Sequence, residues 1–280
     1  MSDQPAPPTR STHADDLALA LRLADAADAI SFPRFGAADL HVTAKPDLTP
    51  VSDADLAVER AIRALLAVER PQDAVLGEEF GESASSASGE GEPDGAARRW
   101  VLDPIDGTKN FVRGVPVWAT LIALFHGDRA VVGVVSAPAL ARRWWAADGG
   151  GAFTRFSGGH ATTCRVSGVT DLSDASLSYS DPAEWRLAGR ERGFAELSGN
   201  CWRTRAYGDF YSYMLVAEGA VDIAAEPQLS LWDVAALIPI VTEAGGSFTS
   251  IDGQPSGGRP DSALATNGLL HESVLSLLNR

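Results

Sequence analysis

The chain has 280 residues, 45% of them hydrophobic and 21% charged, the balance of a soluble globular protein with one large domain or two closely packed ones. A formal net charge of −14 argues against nucleic acid and anionic membranes as partners, because both select a basic footprint. Two cysteines, Cys164 and Cys201, form no disulfide framework, the N-terminal segment has no basic stretch leading into an apolar core, and no apolar run is long enough to span a bilayer, so a cytoplasmic protein is expected.

Residues 1–13 are polar and proline-rich and read as a loose tail. From Ala14 to about Phe35, Leu17, Leu21, Ala24 and Ala27 recur at helical spacing and predict an amphipathic helix. A second helix is predicted from near Ser52 to about Glu69, with Leu56, Ile62, Leu65 and Leu66 on its apolar side and Pro71 beyond its end. Ser52 and Asp55 match a capping box there, so Asp55 has a structural reading as good as any chemical one. Residues 74–77 read as a short buried strand running into Glu78-Glu79, an acidic doublet of the kind that is usually solvated. Residues 82–97 are acidic and of low complexity. They read as a mobile loop inside a single domain over 14–280, because candidate ligands lie on both sides of them.

Residues 98–111, Arg-Arg-Trp-Val-Leu-Asp-Pro-Ile-Asp-Gly-Thr-Lys-Asn-Phe, carry most of the functional signal. Trp100-Val101-Leu102 brings Asp103 to the end of a strand, and Pro104 and Gly107 bend the backbone so that Asp106 faces the same point. Two carboxylates held together without a basic partner repel unless one takes up a proton or a cation lies between them. Oxygen ligands on a tight turn are what Mg²⁺ prefers, and Gly107-Thr108 adds backbone N–H groups and a hydroxyl suited to a phosphate oxygen. Pro, Asp and Gly are also ordinary turn residues, so the pentapeptide Asp103–Gly107 by itself favours a plain turn. Its company elsewhere in the chain decides the matter.

Further on, residues 117–126, 130–137 and 143–147 predict consecutive strands, 209–219 a helix, 220–225 a strand, and 233–244 a helix closing at Gly245-Gly246. Strands between helical ends fit layered sheets and helices. Glu226 ends the strand at 220–225. Asp233 opens the last helix, where an acidic residue complements the dipole, while Leu231 and Trp232 before it favour partial burial. His13, His41, His126, His160 and His271 are scattered without metal-ligand spacing, and neither cysteine lies in a Cys-x5-Arg phosphatase loop.

Taken together, Gly77-Glu78-Glu79, Asp103-Pro-Ile-Asp106-Gly-Thr108, and Trp232-Asp233-Val-Ala with Glu243-Ala-Gly-Gly246 resemble the inositol monophosphatase superfamily of Mg²⁺-dependent, lithium-sensitive phosphatases, over residues 14–278. Within it, the segment from Lys45 to Asp55 and Gly208-Asp209-Phe-Tyr-Ser-Tyr look most like bacterial histidinol-phosphate phosphatases. Asp209 departs from the small residues usual in true inositol phosphatases. The resemblance implies an α/β layered sandwich, the sugar-phosphatase fold of alternating helix and sheet layers, and a homodimer. It implies that Glu78, Asp103, the Ile105 carbonyl, Asp106 and Asp233 hold two or three Mg²⁺ ions. By the same resemblance Thr108, paired with Asp55, polarises the attacking water, the Gly107 and Thr108 amides bind phosphate, and Asp209 and Glu226 contact the organic part of the substrate.

These roles agree with the chemistry. Phosphate monoester hydrolysis needs charge neutralisation and in-line placement of water. Four ionised carboxylates carry a charge of about −4, which offsets two divalent ions. The expected reaction is hydrolysis of L-histidinol phosphate in histidine biosynthesis: a small cationic product suits acidic Asp209 and Glu226, whereas a polyol would be served equally by neutral donors. The alternative enzyme is an inositol-1-phosphate or other small sugar- or nucleotide-phosphate phosphatase. The alternative outside enzymes is a metal- or phosphate-binding regulatory protein; Asp55 and Thr108, needed for water activation and not for holding metal, speak for turnover.

Overall fold

Residues 13–46, 48–83, 97–255 and 260–280 are described by a computed structural model. The expected tail, but for its last residue, and residues 84–96 of the expected acidic loop lie outside the described residues. The first half runs α1 (Ala14–Arg34), β1 (Val42–Ala44), β2 (Pro50–Ser52), α2 (Asp53–Glu69), β3 (Ala74–Gly77), β4 (Gly81–Ser83), β5 (Arg98–Asp106) and α3 (Thr108–Val112). A meander follows: β6 (Ala119–His126), β7 (Arg129–Ala137), β8 (Arg142–Ala147), β9 (Ala152–Phe156) and β10 (Thr162–Thr163). The second half runs β11 (Ser176–Ser178), α4 (Pro182–Leu187), α5 (Glu191–Asn200), β12 (Arg203–Arg205), α6 (Asp209–Ala217) and β13 (Ile223–Glu226). It closes with α7 (Leu231–Val234), α8 (Leu237–Glu243), β14 (Ser247–Thr249), β15 (Ala263–Thr266) and α9 (His271–Leu278).

Strand alternation sorts the apolar side chains into layers. On β5, Trp100 and Leu102 face α1 and α2, where they meet Leu19, Leu23 and Ile62, while Val101 faces the opposite side and the core built on α6 and α8. On β13, Ala224 joins that middle core, whereas Ile223 and Ala225 pack outward against Leu197, Val274 and Leu277 of α5 and α9. The order is therefore helices, an eight-stranded sheet (β10-β9-β8-β7-β6-β5-β3-β4), helices, a five-stranded sheet (β12-β11-β13-β15-β14), helices. This is the alternating layered sandwich the sequence resemblance implies. Each fully buried Leu or Ile in these layers contributes about 1.5–3 kcal/mol over an exposed one, and Ile62→Ala would remove about 2–5 kcal/mol from the α2 contact.

Two local irregularities place the chemistry. Between Asp103, opposite Leu121, and Asp106, opposite Ala119, two residues of β5 face one of β6, so the register slips. Pro104 sits in this bulge without an N–H to leave unpaired, and its carbonyl accepts the Thr120 hydroxyl at 2.8 Å. The bulge turns Asp106 toward the same space as Asp103, which simple strand alternation would forbid.

The predicted helix over 233–244 is in fact two, α7 and α8, parted at Ala235–Ala236. The parting lies on β7 at Gly133, where a Cβ would stand 2.2 Å from the Ala236 carbonyl oxygen. The neighbouring expectations also shift: the helix at 209–219 stops at Ala217, and the strand at 220–225 runs Ile223–Glu226. No helix among the described residues is long and apolar enough to cross a membrane.

Candidate active site

A cavity of about 410 Å³ opens where the ends of β3, β5 and β13 meet the starts of α3, α6 and α7. Acidic Glu78, Asp103, Asp106, Glu184, Asp209, Glu226 and Asp233 line it, and the basic residues lining it are Lys45 and Lys109. Asp103, Asp106 and Asp233 form the tight cluster, each offering a carboxylate oxygen within 4.8 Å of the others. Burial, and then the charges of Glu78, Asp106, Asp233 and Asp55, push the Asp103 carboxyl well above the usual carboxylate range. Burial with Asp209 and Asp233 does the same to Asp106. Burial raises Asp233 to about 7 against the opposing hydrogen bond from the Ser230 amide.

Like charges crowded in a low-dielectric pocket call for a cation, and two further observations fit one. Asp103 Oδ1 is buried and has no hydrogen-bond partner among the described residues. The donors are all hard carboxylate oxygens, the chemistry that divalent ions such as Mg²⁺ select. Glu78 lines the same cavity, but its Oε1 accepts from Lys45 Nζ at 2.7 Å, and Lys45 also meets Glu79 at 2.7 Å. The carbonyl of Ile105 accepts the Thr108 hydroxyl at 2.9 Å and keeps a second lone pair.

Two capping boxes fix carboxylates here, Asp233 among the lining residues and Asp55 buried against Thr108. At the start of α2, Asp55 Oδ2 accepts the Ser52 amide at 2.9 Å and the Ser52 hydroxyl at 2.5 Å. Its other oxygen, Oδ1, lies 3.2 Å from Thr108 Oγ1, so the hydroxyl hydrogen of Thr108 has Asp55 and Ile105 as its two acceptors. At the start of α7, Asp233 Oδ2 accepts the Ser230 amide at 2.7 Å. Both residues cap helices, while Asp55 also meets Thr108 and Asp233 also stands with Asp103 and Asp106.

Gly107 requires a positive φ of 81°, and a Cβ there would stand 2.9 Å from the Val117 carbonyl oxygen and 3.3 Å from Asp209 Oδ2. Asp209 itself has φ of 50°, an uncommon value for a residue with a side chain. Its carboxylate does not cap α6; Oδ2 accepts Asn110 Nδ2 at 2.9 Å, and its amide donates to Ser180 Oγ at 3.0 Å. Ser180 in turn donates to Glu226, whose carboxyl burial raises to about 8. Ser180, Glu184 and Asn110 escaped the sequence reading, since nothing in their local pattern marks them apart from ordinary loop and helix residues. Among the lining residues there is no histidine; His271 is bonded between Thr249 and Thr266 at 3.0 Å each. Cys164 and Cys201 are free, and burial raises both thiols, Cys201 to about 11.

Against this geometry the comparisons with known proteins are direct. The profile of the inositol monophosphatase family matches residues 14–280. The histidinol-phosphatases of Mycobacterium tuberculosis and Streptomyces coelicolor are 58% and 57% identical to this chain over 95% of its length, and 98% and 97% of theirs is covered. Among solved structures, an inositol monophosphatase from Zymomonas mobilis superposes with a TM-score of 0.80 at 33% identity, covering 97% of this chain and 100% of that one. The chain belongs to the inositol monophosphatase family, metal-dependent phosphatases that act on small phosphate esters.

Proposed function

We propose that this protein hydrolyses L-histidinol phosphate to L-histidinol and inorganic phosphate, with Mg²⁺ as the metal. The observation that carries the substrate is the acidic pair Asp209 and Glu226, which faces the cavity beside the Asp103–Asp106–Asp233 cluster and is linked by Ser180. A leaving group with an amine and an imidazole finds charge-assisted acceptors there. The 58% and 57% identity to two histidinol-phosphatases supports the same choice.

Glu78, Asp103, Asp106, Asp233 and the Ile105 carbonyl would hold the ions. Bound divalent ions supply positive charge that offsets these carboxylates and the phosphoryl oxygens and makes water easier to deprotonate. The protein's own groups do the rest. Thr108 presents its hydroxyl oxygen to the cavity while its hydrogen points to Asp55 Oδ1 or the Ile105 carbonyl. Burial, and then the charge of Glu78, raise the Asp55 carboxyl, which makes it a stronger base than an exposed aspartate. A water hydrogen-bonded to Thr108 therefore passes a proton to the Thr108 oxygen as Thr108 passes its own to Asp55. The water oxygen bonds to phosphorus, the bond from phosphorus to the ester oxygen breaks, and that oxygen takes a proton from solvent to leave as the alcohol. The Gly107 and Thr108 amides would orient the phosphate, and Asp209 and Glu226 the histidinol. A homodimer, on the family resemblance, and the cytoplasm, on the sparse cysteines, complete the reading.

The test is phosphate release from histidinol phosphate, inositol-1-phosphate, fructose 1,6-bisphosphate and a 3′-phosphonucleotide, with and without Mg²⁺. Histidinol phosphate should show the highest kcat/KM, and chelation should abolish turnover. A preference for inositol-1-phosphate would overturn the substrate, and chelator-resistant activity the metal. Analytical ultracentrifugation checks the dimer.

A further inference from the structure

We infer that Glu59, with Arg63, is a positioning residue for the turn that presents Glu78 to the cavity. Glu59 lies on α2 and is fully buried. Its Oε2 accepts the backbone N–H of Glu79 at 2.8 Å; its Oε1 accepts the N–H of Phe80 at 3.2 Å and Arg63 Nε at 2.7 Å. Those two amides follow Glu78 directly, so their direction sets where the Glu78 side chain points. Arg63 holds the far side of the same hairpin, donating to the Gly81 and Val75 carbonyls and to Ser83 Oγ, the latter two at 3.5 and 3.4 Å. Gly77, opposite Gly81 in that hairpin, completes the contact: a Cβ there would stand 2.0 Å from Glu59 Oε1.

Packing alone does not account for this arrangement. A helix-to-hairpin contact is filled more cheaply by an apolar side chain than by a buried carboxylate, which must be desolvated and fully paired to be tolerated. Here every strong partner of that carboxylate belongs either to the turn after Glu78 or to the arginine that grips the same hairpin. Groups that orient a metal ligand from behind change metal affinity when removed, even though they never touch the ion. The inference rests on reading Glu78 as a ligand.

The experiment measures Mg²⁺ binding to the full-length, chelator-treated protein by calorimetry, with kcat at saturating Mg²⁺ and Tm alongside, for Glu59→Gln, Arg63→Gln and Glu78→Gln. Glu59→Gln should raise the Mg²⁺ Kd about tenfold or more. Arg63→Gln should raise it by less, and both variants should keep most of kcat once metal saturates. Lowered Tm with unchanged Mg²⁺ affinity in Glu59→Gln and Arg63→Gln would overturn the inference and leave a purely structural pair. If Glu78→Gln weakens binding while the other two do not, the positioning role alone falls; if Glu78→Gln also binds normally, the ligand reading falls with it. Should Glu59→Gln fail to fold, Arg63→Gln and Gly77→Ala, which displaces the carboxylate without changing any charge, decide by the same measurement.

Discussion

Asp106 Oδ2 accepts the backbone N–H of Phe210 at 2.8 Å, so one carboxylate of the metal-fitting cluster also serves the first turn of α6, 104 residues away. The bond ties the carboxylate cluster to Asp209, the residue next to Phe210 that lines the same cavity and is proposed to meet the leaving group. It separates structure from chemistry in a testable way. Asp106→Asn keeps an oxygen for the Phe210 amide and should hold Tm near wild type while activity collapses. Asp106→Ala should lose activity and also about 1 kcal/mol of stability, the usual cost of a lost helix cap. Equal stability losses in thermal melts of the two variants would show that the bond to Phe210 carries nothing.

Asp103→Asn removes the charge whose Oδ1 is buried without a partner, while preserving shape. Activity at ordinary Mg²⁺ concentrations should fall at least about a hundredfold, equivalent to about 2.7 kcal/mol of transition-state stabilisation. Steady-state kinetics against Mg²⁺ concentration provide the check; near-normal activity with unchanged metal demand would remove Asp103 from the ligand set.

Thr108→Ala and Asp55→Asn should each lower kcat strongly and leave Mg²⁺ affinity close to wild type, because the role proposed for the pair is to move a proton and not to hold metal. As one unit linked by the 3.2 Å contact, they should be far from additive in the double variant. Fully additive losses would reduce Asp55 to its capping role with Ser52.

Stability of the chelated protein should fall as pH rises from about 5 to about 8, within the span of the raised folded-state values. The sign follows from burial: Glu226 at about 8 and Asp233 at about 7 keep protons in the folded chain that the unfolded chain has already released. Folding is thus favoured below this window and loses that advantage through it. Mg²⁺ should raise Tm more at pH 8 than at pH 6, since the ions replace those protons. Chelated-protein melts that are flat over this range would contradict the buried charge cluster.

Asp209→Asn and Glu226→Gln should raise KM for histidinol phosphate about tenfold or more, as expected for a charge-assisted contact worth about 1.5–3 kcal/mol, with a smaller change for a neutral aryl phosphate. Asp209→Gly should show the same loss of selectivity and yet a higher Tm, because glycine adopts the φ of 50° without strain. Equal KM changes for both substrates would detach Asp209 from the cationic end.

What the sequence made legible was local chemistry. Ser52 and Asp55 marked the start of α2 by their spacing, and Asp103 and Asp106 announced themselves by sharing a turn with Pro104 and Gly107. Contacts between distant segments were not legible. Pro239 does signal the break at Ala235–Ala236, since it has no N–H for the Ala235 carbonyl four residues back, and the single helix expected over 233–244 runs through it. What no local window shows is that the bare Cα of Gly133 on another element gives the parting room against the sheet. The Lys45 contacts to Glu78 and Glu79 and the Asn110 contact to Asp209 join residues 33, 34 and 99 apart in the chain, so no window of sequence contains both partners. The resemblance supplied the grouping that periodicity could not, and the β5 bulge explains physically how two aspartates three residues apart come to face one point.

The cavity draws Asp103 and Asp106 from the large sheet, Asp209 and Asp233 from the helical layer between the sheets, and Glu226 from the small sheet. The large sheet also brings Glu78, at the end of β3, so of the proposed ligands Asp233 alone comes from another layer, while the groups proposed for the organic end of the substrate come from the central helices and the small sheet. The full lining therefore exists only where both sheets are packed on the central helices, and a ligand that needs all of it stabilises that packed state alone. Separating the two sheets would leave each carboxylate on its own layer and remove the enclosure they share, so a change at the sheet–helix packing far from the cavity reads out as a loss of ligand affinity.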